Sequence, residues 1–505
     1  MSHFEKALSD IVSGPTSVLG PSWYDTARVV RSRLRRPDAL PAAMVTPAID
    51  RLLRAQLPDG SWGYRYAPRE YRVVPTLSAA EALLALAEVG EVRAGPAAAH
   101  ALDFLGSVRI APRSLPDTIA VEFIVPALLE AMADRLAHPA IRVALHHHRA
   151  ELTGLHRLRY AAAHGALPPS AHHSLEVLAE LPANYRHADY LAADGSLACS
   201  PAATAAALAW SDRPAPAALD YLRLEGNRLN GAWPTVAPVR IFELSWLIGA
   251  AAHAGVSVRP STARPLARWL AAQLGETGCG AGPALAADSD DTAIVLFALA
   301  ALGVHRDPAE LRQYKQADRF CTFVGERTAS CSANAHVLEV LAVRWRRGSR
   351  EAHIQRGLAT ATGYLLETQS VDGFWLDKWH ASPFYATAAA VFALRTVSDP
   401  AAARAVERAI SWTCAQQRED GSWGRWSGTR EETAHAVSIL VDTDRLAAVR
   451  AGADFLRHAP SIETPLWHGK ELYEPTRIVD EFVAMISAAA ARVLPATEPA
   501  EGAAG

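Results

Sequence analysis

The chain carries one pattern three times: QLPDGSWG at residues 56–63, QSVDGFW at residues 369–375 and QREDGSWG at residues 417–424. All three fit Q-x-x-D-G-x-W, and the last two begin about one helical hairpin apart. The Asp-Gly pair predicts a turn because glycine tolerates positive φ, and the Gln and Trp side chains can fix that turn against the next helix. We interpret the pattern as the turn of a helical repeat.

Apolar helices follow most of these turns. Each begins with a Thr-Ala pair, and the threonines are Thr204, Thr292, Thr387 and Thr433. Ala-rich amphipathic segments dominate the chain, which predicts an all-α protein. Helical hairpins whose inner helices start at one common end close into an α/α barrel, and repeats on both sides of residues 234–246 predict two such barrels.

The composition excludes several classes of protein. The length of 505 residues exceeds an ordinary single domain, and a content of 50% apolar and 20% charged residues excludes a disordered chain. A net charge of −3 gives no basic excess for nucleic acid, and five cysteines without a CxxC pair indicate neither a disulfide framework nor a zinc cluster. Since we find no signal segment and no apolar stretch of bilayer length, we expect a cytoplasmic protein that is not integral to a membrane.

An acidic cluster precedes one of the Thr-Ala helices. The four residues before Thr292 include three aspartates, Asp288, Asp290 and Asp291. Asp290 and Asp291 form the only Asp-Asp pair in the chain. One carboxylate would suffice to cap the helix, which is the simplest structural role. Three carboxylates within four residues repel one another, so in a dry cavity at least one should keep its proton to high pH and serve as a Brønsted acid.

The stretch DSDDTA at residues 288–293 resembles the D-x-D-D-T-A signature of class II terpene cyclases, which protonate a terminal alkene of an isoprenoid and fold the resulting cation into rings. The resemblance covers most of the chain, and its length suits the bacterial diterpene-type members, such as the copalyl/labdane-type and drimenyl diphosphate synthases. Further blocks in the family's order are PSWYDTARV from residue 21, HSLEVL from 173, DGSLACSPAATA from 194, NGAWPTVAPVRIFELSW from 230, FCTFVGERTASCSANAHVL from 320 and GSWGRWSGTREETAHAV from 421.

The resemblance implies an architecture of two α/α-barrel domains, β and γ, with γ inserted after the first helix of β and the substrate cavity between them. Residues 1–40 would then form the first part of β, residues 45–245 would form γ, and residues 246–495 would complete β. We expect the Pro-rich stretch 36–47 to cross between the barrels. Residues 496–505 are predicted to be a disordered tail.

The resemblance also implies roles for the acidic cluster. Asp290 resembles the general acid of the family, and Asp288 and Asp291 would tune it. Asn334 stands where the family has an asparagine that hydrogen-bonds this acid, and a neutral amide can orient the proton without adding charge. The alternative for Asn334 is a capping or surface asparagine.

His173 matches a histidine that, in plant enzymes forming the ent-configured bicycle, pairs with an asparagine to hold the water that removes the final proton. This chain departs from that pattern because Thr235 stands where the asparagine would be. The resemblance therefore implies a catalytic role for His173 but does not carry over the stereochemical outcome.

Aromatic side chains are expected to stabilise the migrating cation, since each ring face contributes about 0.5–2 kcal/mol. Their alternative role is to pin the repeats, and Trp375 and Trp423 belong to the turn pattern itself. A large Trp233 beside the cavity would favour the shorter farnesyl chain. The candidates near the predicted barrel mouths are Trp233, Trp375, Trp379, Phe384, Tyr385, Trp423 and Trp426.

The substrate diphosphate needs basic groups, often together with Mg²⁺. We assign no ligands for the metal from the sequence. Solvated surface residues are the alternative interpretation of each basic candidate. The candidates are Lys378, Lys470, Arg157 and Arg159.

The expected reaction converts a linear isoprenyl diphosphate, geranylgeranyl ahead of farnesyl diphosphate, into a bicyclic labdane-, clerodane- or drimane-type diphosphate. Class I cyclases hold Mg²⁺ with D-D-x-x-D to remove the diphosphate, but here Asp290-Asp291 continues as Thr292, Ala293 and Ile294. The product should therefore keep its diphosphate, which a downstream phosphatase or class I synthase would then remove.

Three alternatives remain open at this point. A squalene-hopene-type triterpene cyclase shares the repeats and the acid motif, but it is longer and presents an apolar membrane-docking surface. A non-catalytic helical-repeat scaffold would explain the turns and leave the acidic cluster unexplained. A zinc-dependent prenyltransferase subunit would need clustered Asp, Cys and His ligands, which the sequence does not suggest.

Overall fold

The computed structural model describes residues 2–14, 17–178, 189–211 and 213–494. The first α-helices of these ranges are α1 (His3–Ser13), α2 (Trp23–Arg35), α3 (Ala42–Arg54), α4 (Val73–Glu88), α5 (Ala94–Gly106), α6 (Val121–Ala133), α7 (Pro139–His147), α8 (Arg149–Ala163), α9 (Pro201–Trp210) and α10 (Pro216–Arg228). They are followed by α11 (Arg240–His253), α12 (Pro260–Ala271), α13 (Ser289–Ala301), α14 (Cys331–Arg346), α15 (Ala352–Thr368), α16 (Pro383–Leu394), α17 (Pro400–Ala415), α18 (Arg430–Leu440), α19 (Leu446–His458) and α20 (Thr476–Val493).

Short elements complete the fold. Strands β1 (Trp467–His468) and β2 (Leu472–Tyr473) pair antiparallel, and we call residues 467–473 the hairpin. The 3₁₀ segments are Arg69–Arg72, Pro112–Ser114, Pro169–Leu178 and Ala309–Tyr314. The predicted all-α class is confirmed.

Six inner helices form a closed ring, which we call the C-terminal barrel. Around the ring, α11 contacts α13, α13 contacts α14, and the order continues through α16, α18 and α20 back to α11. Its apolar core also takes in α1, through Leu8 and Ile11. The predicted α/α-barrel architecture is therefore present in this half of the chain.

A second ring, which we call the inserted barrel, consists of α2, α4, α6, the 3₁₀ segment Pro169–Leu178 and α9. Its core extends from Tyr24 to Trp233. Because α2 packs in this core, the segment 1–40 does not belong entirely to the first domain as expected. The insertion begins before Trp23, and the C-terminal barrel resumes with α11 at Arg240, ahead of the expected residue 246.

The chain crosses between the barrels along two neighbouring segments. The Ser22 N–H donates to the Trp233 carbonyl at 2.7 Å, and the Val239 N–H donates to Ser17 Oγ at 2.8 Å. The expected crossing at residues 36–47 is wrong, since Leu40 is buried in the core of the inserted barrel. The predicted tail at 496–505 lies outside the described residues.

The repeated turns clamp successive helices together. In each full copy the Trp Nε1 donates to the carbonyl ten residues earlier, and the Trp N–H is held by a threonine Oγ1 at the start of the following inner helix. The Trp233 N–H is likewise held by a threonine Oγ1, that of Thr26 on α2, 207 residues away. This one contact closes the ring of the inserted barrel and explains why α2 belongs to it.

Candidate active site

The acidic cluster occupies the N-terminus of α13, on the inner ring of the C-terminal barrel. Asp288 is the N-cap, and its Oδ1 accepts the Asp291 N–H at 2.7 Å. Burial raises the pKa of Asp288 to about 7. Burial and the neighbouring Asp288 carboxylate raise the pKa of Asp291 well above its ordinary value. The capping role is therefore real for Asp288, and the cluster also retains protons near neutral pH.

Asp290 is partnered by a histidine. Its Oδ1 lies 2.6 Å from Nδ1 of His336 on the neighbouring helix α14, and its side chain is 17% exposed. Burial opposes protonation of His336, but the Asp290 carboxylate and its hydrogen bond outweigh that cost and raise the pKa of His336. A donor at this distance stabilises the carboxylate that remains after Asp290 gives up a proton.

Asn334 does not contact the acid, which corrects the expectation above. Its Oδ1 accepts the Phe320 N–H at 2.8 Å, and its Nδ2 donates to the carbonyls of Phe320 and Ser330. Thr292 holds the Cys279 N–H in the same way. Asn334 is thus the counterpart of the repeat threonine at the start of α14, and it organises a turn.

A cavity runs along the axis of the C-terminal barrel from the acid end toward the C-terminal ends of the inner helices. At the acid end it is lined by Trp246, His336, Tyr385 and His435. At the other end it reaches His253, the last residue of α11. Its volume of about 70 Å³ accommodates a few water molecules.

An aromatic group surrounds the acid end of this cavity. The Trp246 ring lies 5.2 Å from Phe482 and 6.0 Å from Trp467, and Tyr385 lies 5.0 Å from Trp467 between ring centroids. Most of these pairs meet edge to face, so several ring faces remain available to a cation. Of these rings only Tyr385 was predicted.

A buried polar cluster adjoins the same aromatic group. Glu431 Oε1 accepts from Trp467 Nε1 at 2.7 Å and lies 3.1 Å from His380 Nε2. Burial raises the pKa of Glu431 to about 8 and lowers the pKa of His435 well below its ordinary value. Neither ring nitrogen of His435 has a hydrogen-bond partner within the described part of the chain. These groups are therefore neutral near pH 7, and they bring polarity to the cavity without adding fixed charge.

The other predicted aromatic residues have structural positions. Trp233, Trp375 and Trp423 are fully buried in the repeat turns, and they are not among the residues that line the cavity described above. The Phe384 ring packs 4.9 Å from Trp412 of the outer layer. The burial of the three tryptophans reflects the clamp described above, and the effect of Trp233 on chain length stays a prediction.

Trp379 and Trp426 lie at the junction of the two barrels. The Trp426 ring is 5.1 Å from Tyr71 of the inserted barrel, and Lys378 Nζ lies 4.7 Å from the Trp379 ring centroid. A substrate-binding role for these two rings stays a prediction.

The structure gives Lys470 a different role from the predicted binding of the diphosphate. It sits at the tip of the hairpin with no exposed side-chain area, and its Nζ donates to Asp25 at 3.2 Å, Glu176 at 2.9 Å and Ser200 at 2.7 Å. These three acceptors use all three ammonium hydrogens, so none remains for a diphosphate. Lys470 instead joins the hairpin of the C-terminal barrel to the inserted barrel.

Two predicted arginines also lie elsewhere. Arg159 donates to Glu130 at 2.5 Å and lines a cavity inside the inserted barrel. Arg157 is exposed on α8. Lys378 is the basic candidate that the structure places at the junction, where it donates to Glu326 at 2.5 Å and to the Thr328 carbonyl at 2.8 Å.

Glu326 and Glu122 lie near Lys378 at the junction. Glu326 Oε1 is buried and has no partner within the described ranges. Asp117 pairs with Arg327, and burial raises the pKa of Glu122 while the positive charge of Lys378 opposes that shift. Hard carboxylate oxygens are the ligands that Mg²⁺ prefers, but among the described residues the group close enough to share one ion is Asp307, Glu351 and His353. The structure therefore assigns no Mg²⁺ ligands at the junction.

His173 and Thr235 lie near the hairpin, with different partners. His173 Nδ1 lies 2.8 Å from the Ala198 carbonyl, and its buried Nε2 has no partner among the described residues. Burial, followed by the positive charge of Lys470, lowers the pKa of His173 to about 3. Thr235 Oγ1 accepts the Lys470 N–H at 3.3 Å. The two side chains are therefore not a hydrogen-bonded pair.

Sequence reasoning missed the partner of the acid, although a signal was present. Asn334 is followed by Ala335, just as Thr292 is followed by Ala293, which marks Asn334 as the repeat position. His336 stands two residues further along, on another face of α14. Trp246, Trp467, Phe482, His435 and Glu431 were also missed, because only the closure of the ring brings their helices together.

Comparisons with known proteins agree with this geometry. Residues 322–443 match the model of the squalene-hopene cyclase C-terminal domain. The chain is 37% identical to an ent-copalyl diphosphate synthase of Streptomyces sp. (strain KO-3988), with coverage of 94% of this chain and 92% of that protein. It is 36% identical to a labda-7,13-dienyl diphosphate synthase of Streptomyces clavuligerus, with 97% and 93% covered.

A solved structure is also similar over nearly its whole length. The ent-copalyl diphosphate synthase from Streptomyces platensis superimposes with a TM-score of 0.82 at 34% identity, covering 96% of this chain and 98% of that one. The fold and the buried acid define a protonation-initiated isoprenoid cyclase. The chain belongs to the family of bacterial class II diterpene cyclases. Among the described helices, none combines the length and apolarity needed to span a bilayer.

Proposed function

We propose that this enzyme cyclises a linear isoprenyl diphosphate, with geranylgeranyl diphosphate preferred to farnesyl diphosphate, into a bicyclic labdane-, clerodane- or drimane-type diphosphate. The observation that carries the proposal is the Asp290–His336 contact of 2.6 Å at the aromatic end of a buried cavity. The names of the relatives support a diphosphate-bearing product.

The reaction begins when Asp290 donates its proton to the terminal alkene. The new C–H bond forms as the O–H bond breaks, and the tertiary cation is attacked by the next alkene of the chain. His336 stabilises the Asp290 carboxylate, while the faces of Trp246, Tyr385 and Phe482 stabilise the cation without forming a bond to it. Loss of one proton from the bicyclic cation ends the sequence.

His173 is our proposal for the base that ends the reaction. Since Nδ1 points to the Ala198 carbonyl, the neutral ring presents an unpartnered Nε2 lone pair, which can take a proton directly or through a water. The low pKa makes it a weak base, which is sufficient because a carbocation is a very strong acid. The absence of an asparagine partner distinguishes this site from the histidine–asparagine pair.

The diphosphate is proposed to bind at the barrel junction. Lys378 supplies a point charge there, and Mg²⁺ would bind together with the substrate and neutralise its diphosphate. The absence of a D-D-x-x-D motif in the sequence favours retention of the diphosphate on the product. A downstream phosphatase or class I synthase would then act on it, and the cytoplasm is the proposed location.

The first experiment incubates the enzyme with each of the two diphosphates and Mg²⁺, then treats the products with phosphatase and separates the alcohols by gas chromatography with mass detection. A bicyclic alcohol from the C20 substrate with little from the C15 substrate is expected. Asp290→Asn should fold and yield none. If the wild-type enzyme returns only the linear alcohols, the proposal is wrong.

The structure and the relatives do not favour the alternatives. A triterpene cyclase is disfavoured because the relatives that match over nine-tenths of the chain are named diphosphate synthases. A scaffold without catalytic function leaves the buried Asp290–His336 pair unexplained.

A further inference from the structure

Each turnover leaves Asp290 as a carboxylate, which must regain a proton before the next substrate reacts. The side of the acid that faces the substrate is covered by hydrocarbon while substrate or product is bound. A proton supplied from the opposite side would avoid that obstruction. The cavity of the C-terminal barrel extends to that opposite side.

Two further titratable groups lie along this cavity beyond His336. Glu339 is three residues after His336 on α14, so it lies on the same helix face about 4.5 Å further down the axis. Its side chain is 4% exposed, and its Oε1 lies 2.6 Å from His253 Nε2. All three residues line the cavity.

His253 lies at the partly exposed end of the series His336, Glu339 and His253. It is the last residue of α11, at the end of the ring opposite the acidic cluster, and its side chain is 24% exposed. Its ring stacks on Phe392 with centroids 4.3 Å apart, which fixes its orientation. The cavity volume of about 70 Å³ is large enough for water between His336 and Glu339.

We propose that His253 and Glu339 form a proton supply route that recharges Asp290 through His336 from the solvent-facing end of the C-terminal barrel. This inference rests on the proposed function. The two residues touch neither substrate nor acid, so they act by positioning and relaying the proton.

The transfer balances with one proton in and one proton out. Solvent protonates His253 at Nδ1, and the Nε2 proton passes to Glu339. Glu339 passes a proton through water to His336 Nε2, and His336 releases its Nδ1 proton to the Asp290 carboxylate. Each group returns to its starting protonation state after the ring tautomers reset. The product has lost one proton at termination, so the cyclisation remains an isomerisation.

The test compares the first turnover with later turnovers. His253→Gln and Glu339→Gln begin with Asp290 protonated, so with enzyme in excess, rapid quenching should give a first-turnover rate within about twofold of the wild type. Steady-state kcat with substrate in excess should fall about 10- to 100-fold, leaving a burst of one product per enzyme. His458→Gln, an exposed histidine on α19, is the matched control and should change neither rate.

A second measurement separates the relay from a structural role. In His253→Ala, added imidazole should restore kcat, since a free base can occupy the opened space and carry the proton. Equal losses in first-turnover and steady-state rates, or unchanged kcat in both Gln variants, would overturn the inference. Both outcomes apply only when the wild-type enzyme cyclises a diphosphate. A wild-type enzyme that cyclises neither diphosphate would overturn the proposed function itself.

Discussion

Replacing His336 by phenylalanine tests how the acid is activated. Phenylalanine keeps much of the ring volume but cannot donate to Asp290, so the variant loses one hydrogen bond to a charged group, measured at 2.6 Å. Such bonds contribute about 1.5–3 kcal/mol. If His336 provides this stabilisation only as the Asp290 carboxylate forms, kcat of the variant falls about 10- to 150-fold and its KM changes little.

The assay is steady-state formation of the bicyclic alcohol after phosphatase treatment, accompanied by a thermal melt to confirm folding. Asn334→Thr is the matched control on the same helix, because threonine is the residue that performs this role in the other repeats. It should retain wild-type kcat. The reasoning is refuted if His336→Phe turns over at the wild-type rate, or if Asn334→Thr loses as much activity as His336→Phe.

Three further predictions follow from the same structure. Asn334→Ala should lower the free energy of unfolding by about 2–4 kcal/mol, because it removes the side-chain partner of the Phe320 N–H and of the Phe320 carbonyl; chemical denaturation would contradict this if the midpoint were unchanged. Lys470→Met should destabilise the protein by about 3–5 kcal/mol by leaving Asp25 and Glu176 as uncompensated buried acids, with an unchanged KM for the substrate; a raised KM at normal stability would instead restore Lys470 as a diphosphate ligand. Activity should fall as pH rises through about 7, the raised pKa of Asp288, because an ionised Asp288 opposes formation of a second carboxylate beside it and so opposes proton donation by Asp290; a pH profile of Asp288→Asn that still descends at the same pH would exclude Asp288 as the cause.

Stability should respond to pH in the same direction. Asp288 has a folded pKa raised to about 7 from an ordinary value of 3.8. Below both values the group is protonated in either state and has no effect. Between them the unfolded chain releases the proton that the folded chain retains, so the free energy of unfolding decreases as pH rises from about 4 to about 7.

The repeats and the acid could be recognised in the sequence because both are local. A Q-x-x-D-G-x-W turn and a Thr-Ala helix start each involve a few consecutive residues, and their contacts in the structure span ten to fourteen residues. The positions of Asp288 and Asp290 follow from the same local register. The domain boundary was harder to predict, because the contact that assigns α2 to the inserted barrel joins two residues distant in sequence, Thr26 and Trp233.

The remaining site residues depend on contacts between distant segments. Lys470 resembled a phosphate-binding lysine in the sequence, but the hairpin inserts it between Asp25 and Glu176, which lie far away along the chain. Likewise, the aromatic group around the cavity combines Trp246, Tyr385, Trp467 and Phe482 from separate elements. Neither arrangement has a local signature.

The most direct test of the account is cyclisation in D₂O. If Asp290 protonates the terminal alkene and is recharged from solvent, wild-type enzyme passed through repeated turnovers should place one deuterium on the ring carbon that was the terminal alkene CH, and Asp290→Asn should form no such product. A bicyclic product without deuterium at that carbon, or deuterated product from Asp290→Asn at the wild-type rate, would contradict the account.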